Sequence, residues 1–285
     1  MPQATFKVYR GDRSGGEFKD YSADISEGMV VLDAIHQIQA TQAPDLACRW
    51  NCKAGKCGSC SAEINGKPRL MCMTRMETIP IDQPVTIQPV KTFPLIKDLV
   101  TDVSWNYKIN KMIPPFRPKP PEADGTWRMA QEEVDRVQEF RKCIECFLCQ
   151  DVCHILRDHH MLGDPEAAAA GTATGTAPGA ETEAPPETFG GPRFMIRVAS
   201  LEMHPLDTDD RLPLLKDKLN IGLCNITKCC TEVCPEHIKI TDNGIIPLKE
   251  RVVDEFYDPV MWLWRKIFGR KDERKTLQQL PVVAK

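Results

Sequence analysis

Two periodicities organise the first hundred residues. Thr5-Phe6-Lys7-Val8-Tyr9 sets apolar side chains at alternate positions and predicts a strand. Gly11-Asp12-Arg13-Ser14-Gly15-Gly16 reads as a turn, and a second strand around Glu17–Ser22 completes a hairpin. The period then lengthens. Val30, Val31, Ala34, Ile35 and Ile38 recur at helical spacing after the turn-prone Ser26-Glu27-Gly28. Val85-Thr86-Ile87, between Pro84 and Pro89, is a short β run placed to close the sheet. These elements predict an α+β unit over residues 1–105.

Ile113-Pro114-Pro115-Phe116-Arg117-Pro118-Lys119-Pro120-Pro121 follows, short of amide donors and restrained before each proline. It predicts an extended, stiff linker over 106–125. Helical patterning returns at Met129–Arg141 and Phe194–Glu202, giving a second, helical domain over 126–250. Residues 163–192 interrupt it with Ala, Gly, Pro, Thr and acidic residues, one aromatic and no basic residue. Such a stretch buries too little apolar surface to offset its ordering entropy and reads as a flexible, exposed low-complexity insertion. Residues 251–285 form a basic, amphipathic C-terminal tail.

The 285 residues are 42% hydrophobic and carry 37 basic against 40 acidic side chains, so no basic face points to nucleic acid. No apolar run approaches the roughly 18–20 residues that span a bilayer. The opening Met1–Lys7 has no apolar signal core, so export by that route is not expected. Thirteen cysteines therefore point to metal rather than disulfides, and an odd count forbids complete pairing.

Cys52-x4-Cys57-x2-Cys60, with Cys72 further on, is the plant-type arrangement for a [2Fe–2S] cluster. Three thiolates come from one loop and the fourth from a neighbouring element. Gly55 and Gly58 suit a loop whose amides approach sulfur. Zinc is the alternative, although it prefers two separated Cys pairs. Cys48 lies outside the spacing and reads as a buried thiol, with substitution for a ligand the alternative.

Cys143-x2-Cys146-x2-Cys149-x3-Cys153 is the bacterial-ferredoxin run, whose fourth cysteine serves a second cluster. The exchange partner is Cys224-x2-Thr227-x2-Cys230-x3-Cys234-Pro235, with Thr227 where the second cysteine would stand. Cys143, Cys146, Cys149 and Cys234 then make a full [4Fe–4S] set. Cys153, Cys224 and Cys230 supply only three thiolates. A threonine hydroxyl is a poor iron ligand at neutral pH, so the expected product is [3Fe–4S]. Cys229 adjoins the vacant position out of frame, and completion of a fourth corner by it is the alternative.

In this order, these motifs resemble the iron–sulfur subunit of succinate dehydrogenase and fumarate reductase over roughly residues 5–250. Leu32-Asp33-Ala34, Cys57-Gly58-Ser59-Cys60 and Gly191-Pro192 extend the likeness. The resemblance implies an N-terminal β-grasp plant-type ferredoxin domain followed by an all-α bacterial-ferredoxin-like domain. It also implies electron flow from the FAD of a flavoprotein subunit through three clusters to quinone at a membrane-anchor subunit. The expected location is peripheral, on the cytoplasmic face of the inner (plasma) membrane, as part of a complex. No residue constellation in this chain suits acid–base or nucleophilic chemistry, and no Gly-x-Gly-x-x-Gly follows a strand.

Two departures stand out. Family members commonly follow the residue equivalent to Cys153 with Pro and a Trp-bearing segment, and place His after the equivalent of Cys224; both border the quinone pocket. This chain has Cys153-His154-Ile155-Leu156 and Cys224-Asn225. A different quinone, a displaced site or a further redox centre in the anchor stay open. His154, His159 and His160 read as surface or interface histidines, with proton donation or metal ligation the alternative. In the tail, Pro259–Phe268 carries two Trp beside a basic stretch, which suits a membrane–water interface or a helix packed on a protein partner. Rival readings are fumarate reduction, a multi-cluster carrier for a heterodisulfide- or glycolate-type flavoenzyme, and a zinc-stabilised interaction module.

Overall fold

A computed structural model describes residues 2–158 and 189–260, with 263 and 267. Strand β1 (Gln3–Asp12) and β2 (Gly15–Asp24) pair antiparallel along their whole length, from Gln3 opposite Asp24 to Asp12 opposite Gly15. Ala4, Phe6 and Val8 face inward from alternate positions of β1, which is why this polar-looking hairpin holds a core. Helix α1 (Val31–Thr41) buries Val31, Leu32, Ala34, Ile35 and Ile38. Each fully buried Val, Leu or Ile contributes about 1.5–3 kcal/mol. The Asp33 carboxylate accepts the Val30 amide at 3.2 Å and so satisfies a donor that the first helical turn leaves open.

Short strands complete the sheet: β3 (Ser61–Ile64), β4 (Lys67–Leu70), β5 (Val85–Gln88), β6 (Leu95–Lys97) and β7 (Val100–Thr101). Their order is β4-β3-β5-β1-β6-β7, with β2 also on β1, and β1 runs parallel to β5. Asn65 and Gly66 turn β3 into β4, both at positive φ (49° and 73°). The chain is thus a mixed sheet plus helices, of the α+β class.

Two compact units emerge. The first combines the described parts of Met1–Tyr107 and Cys143–Glu183 with Cys229–His237. It therefore includes helix α4 (Leu148–Asp151), α5 (His154–Asp158) and α8 (Cys229–Glu232) as well as the sheet. Leu148 joins the core of the sheet, and Val233 packs against it. Helix α2 (Ser104–Met112) follows the last strand.

The second unit comprises Lys108–Lys142 and the described parts of Ala184–Lys228 and Ile238–Lys285. Its helices are α3 (Gln131–Gln138), α6 (Pro192–Glu202), α7 (Leu212–Asp217) and α9 (Ile246–Phe256), with shorter turns between them. The patterning over Met129–Arg141 resolves into α3 and a 3-10 turn at Glu139–Lys142. The Pro-rich stretch is tied down inside this unit. The buried Arg211 guanidinium donates to the Pro114 and Pro115 carbonyls at 3.1 and 2.7 Å while paired with Asp207 at 2.9 Å. It supplies donors that the prolines themselves lack.

Most of the 163–192 insertion lies outside the described residues. Its last four residues do not fit the expected exposed segment, for Phe189, Gly190, Gly191 and Pro192 are buried. Gly190 donates to the Leu219 carbonyl at 3.1 Å, and a Cβ there would stand 3.0 Å from Leu219 Cδ2. Pro192 then starts α6, where its missing N–H costs nothing. His159 and His160, and the tail apart from 251–260, 263 and 267, also lie outside the described residues. Among the described residues no helix is long and apolar enough to cross a membrane.

Candidate iron–sulfur loops

Asp98 anchors the root of the first cysteine loop. Its buried carboxylate accepts Arg10 Nε at 3.1 Å, the Gly11 amide at 3.0 Å and the Ala47 amide at 2.8 Å. Leu99 donates in turn to the Ala47 carbonyl at 3.2 Å. From this fixed point the chain enters a loop with left-handed backbone at Lys53, Gly55 and Gly58 (φ 53°, 66° and 67°). Those turns aim amides at sulfur. Ala54 and Lys56 N–H both lie 3.3 Å from Cys52 Sγ, and Cys72 N–H lies 3.5 Å from Cys60 Sγ. Burial pushes the Cys57 thiol up, but hydrogen bonds from the Ser59 hydroxyl and from backbone amides outweigh it and hold Cys57 below the usual thiol range. Burial wins at Cys60, which is raised. Donors directed at sulfur fit thiolates bound to iron, since they stabilise the charge that a ligand must carry.

Cys48 is a different case. Burial alone pushes its thiol up to about 12, and its side chain packs against the core of the sheet.

Cys143, Cys146, Cys149 and Cys234 gather within the first unit. Burial pushes Cys146 up to about 12, with the Cys143 and Cys234 charges adding to it. Burial also raises Cys149, which feels Cys146, Cys143, Cys230 and Cys234. Cys149 is buried and the other three are half-buried, so four thiolate charges here would call for compensating positive charge of the kind a bound metal cluster supplies. Cys153 and Cys230 belong to the first unit and Cys224 to the second. Among the described residues no three His, Cys, Asp or Glu side chains gather at the spacing of one bound ion. Four thiolates on one zinc would sit about 2.3 Å from a common centre, a tighter gathering than a core of several irons imposes.

The two later motifs repeat one backbone. Glu145 and Phe147, two and four residues after Cys143, are left-handed at φ 57° and 59°. Ile226 and Lys228, two and four residues after Cys224, are left-handed at φ 59° and 64°. Side chains other than Gly, and β-branched Ile above all, rarely adopt this conformation, so the coincidence reflects a shared path. Helices α4 and α8 both begin at the fifth residue after the first cysteine and run for four. In this register Thr227 stands where Cys146 stands, and Cys229 where the buried Leu148 stands. The Cys229 Sγ lies 3.5 Å from His154 Nε2.

Several neighbours of these loops carry no motif. Ser61 Oγ lies 2.9 Å from the Cys146 carbonyl, Lys249 Nζ lies 2.6 Å from the Cys224 carbonyl, and Glu63 pairs with Arg157. Glu63 alternates with Ser61 at the polar positions of Ser61-Ala62-Glu63-Ile64, so nothing in the sequence marked its burial.

A mixed sheet crossed by one helix, with a three-cysteine loop furnished with amide donors and a fourth cysteine just beyond β4, defines a [2Fe–2S] ferredoxin-type domain. Residues 5–108 match the family described as 2Fe-2S iron-sulfur cluster binding domain. A chain of the Mycobacterium smegmatis Sdh1 complex in its apo form superposes with a TM-score of 0.79 and 58% identity, covering 90% of this chain and 98% of that one. The fumarate reductase iron-sulfur subunit of Mycobacterium tuberculosis is 34% identical over 165 residues, 55% of this chain and 65% of that protein. The succinate dehydrogenase iron-sulfur subunit of Paracoccus denitrificans is 27% identical, covering 87% of this chain and 88% of that protein. The chain belongs to the family of iron–sulfur subunits of succinate dehydrogenase and fumarate reductase. The match to the Mycobacterium tuberculosis subunit spans just under two thirds of that protein's length.

Proposed function

We propose that this chain is the electron relay of a succinate:quinone oxidoreductase, between the flavin of a partner subunit and quinone at a membrane anchor. Cys52, Cys57, Cys60 and Cys72 hold [2Fe–2S]; Cys143, Cys146, Cys149 and Cys234 hold [4Fe–4S]; Cys153, Cys224 and Cys230 hold [3Fe–4S]. When bound, these clusters supply one-electron chemistry at three successive stations. The chain's own donors stabilise charge at Cys52 and Cys57, while burial keeps water away from Cys60 and Cys149. The carrying observation is the repeated left-handed backbone, because it favours Thr227 at the position of the second ligand and leaves the last set one thiolate short.

Exposed Val253, Phe256, Tyr257, Val260, Leu263 and Ile267 support docking of the C-terminal region at the anchor, on the cytoplasmic face of the membrane. The test is succinate-dependent reduction in the complex isolated through this chain. Signals from all three clusters should respond to succinate. A Cys57→Ser variant should interrupt reduction of the second and third. Full reduction in that variant would refute the order of the relay.

A further inference from the structure

Gly58 follows Cys57, a ligand of the first proposed set, and lies against the backbone of Cys146, a ligand of the second. A Cβ on Gly58 would stand 2.6 Å from Cys146 Cα and 2.8 Å from its amide nitrogen. Only glycine permits that approach, and its φ of 67° adds a second demand for glycine. Beside this contact, Ser61 Oγ lies 2.9 Å from the Cys146 carbonyl oxygen and 3.0 Å from the Gly58 carbonyl oxygen. One hydroxyl hydrogen serves both acceptors, so Ser61 clips the two loops together at the same point. The exposed Lys56–Glu236 pair, at 3.1 Å, adds a second tie two residues beyond Cys234. An exposed pair of this kind contributes little by itself.

We propose that Gly58 and Ser61 are positioning residues for electron transfer between the first and second clusters. They press the Cys57–Gly58 peptide against Cys146, so the route from ligand to ligand crosses one peptide unit and one van der Waals contact. With both clusters bound, the centre held by Cys57 would lose one electron and the centre held by Cys146 would gain it, with no bond broken and no proton moved. Tunnelling falls off exponentially with the gap, so a side chain that wedges the loops apart slows the step without touching a ligand. The inference rests on the ligand sets proposed above.

The test compares Gly58→Ala, Ser61→Ala and Ser61→Thr with the unaltered protein, as the anaerobic, cluster-loaded complex. Three readouts apply: iron per chain, the magnetic interaction between the reduced [2Fe–2S] and [4Fe–4S] signals, and the rate of electron passage between them. The magnetic interaction falls with the cube of separation and reports geometry independently of turnover. Gly58→Ala should retain its iron, weaken the magnetic interaction and slow transfer several-fold. Ser61→Ala should do the same to a smaller degree, and Ser61→Thr should restore both readouts. If Gly58→Ala fails to load, the serine pair decides. Unaltered interaction and rate in Ser61→Ala, or in a loaded Gly58→Ala, would overturn the inference. Absence of any [4Fe–4S] signal from the unaltered protein would instead overturn the ligand reading beneath it.

Discussion

The Arg157 guanidinium meets the Glu63 carboxylate at 2.5 Å, joining the helix after the second cysteine motif to the third strand of the sheet. Glu63 is only 1% exposed and also pairs with Lys91 at 3.2 Å. Arg157 reaches Asp151 as well, at 3.4 Å, and Asp151 accepts the Thr92 amide at 3.1 Å. A strand, a loop and two short helices are thereby held around the Cys149–Cys153 turn.

Breaking one partner of a buried ion pair costs about 3–5 kcal/mol. Arg157 is 35% exposed and Lys91 remains at Glu63 when it is removed, so Arg157→Ala should lose less than that, about 1.5–3 kcal/mol as for a hydrogen bond to a charged group. Denaturant unfolding of the anaerobic protein measures it. A loss below about 1 kcal/mol, the worth of an exposed pair, would show that the contact is not a buried clamp.

Thr227→Cys should convert the proposed three-iron centre to [4Fe–4S], because position 227 shares the backbone register of Cys146. Cys229→Ser should leave the three-iron centre as it is. EPR of the oxidised protein reads both. A persisting [3Fe–4S] signal in Thr227→Cys would contradict the register, and so would its appearance only after loss of Cys229.

Lys249 brings an ammonium 2.6 Å from the Cys224 carbonyl. A nearby positive charge favours the electron-rich state of a cluster. Lys249→Met should lower the midpoint of the proposed three-iron centre by about 60 mV, a tenfold change for a one-electron couple. Lys249→Arg should retain most of it. An EPR-monitored redox titration decides, and an unmoved midpoint in Lys249→Met would exclude the effect.

His204 sits against Phe116, with its Nδ1 accepting the Leu206 amide at 3.2 Å. Burial, followed by the Arg141 charge, holds its pKa below the ordinary 6.5, with Asp207 and Glu133 opposing. The unfolded chain therefore takes up this proton first as pH falls. The stability that depends on neutral His204 is complete above 6.5 and declines as pH drops through and below that value. Unfolding measured across this window should show a flatter profile in His204→Gln. An identical slope would remove His204 as the source.

The [2Fe–2S] domain was legible because iron ligation demands fixed residue types at fixed spacing, and α1 because Val31, Ile35 and Ile38 repeat at a helical period. The β3–β4 hairpin carried a signal in Asn65-Gly66, but its four-residue strands are too short for a clear alternation. Other features had no local signature. The Gly58–Cys146 contact joins residues 88 positions apart, and nothing near Arg211 announces a buried guanidinium serving Pro114 and Pro115. Burial of Phe189–Pro192 was hidden by the Ala, Thr and Pro stretch before it. Its glycines read as flexibility until Leu219 packs over Gly190.

The central claim is three clusters on eleven named cysteines, and low-temperature EPR with iron and sulfide counted on the anaerobic protein tests it most directly. The expected result is a near-isotropic oxidised signal, separate reduced [2Fe–2S] and [4Fe–4S] signals, and about nine irons per chain. Zinc without labile sulfide would contradict the relay altogether.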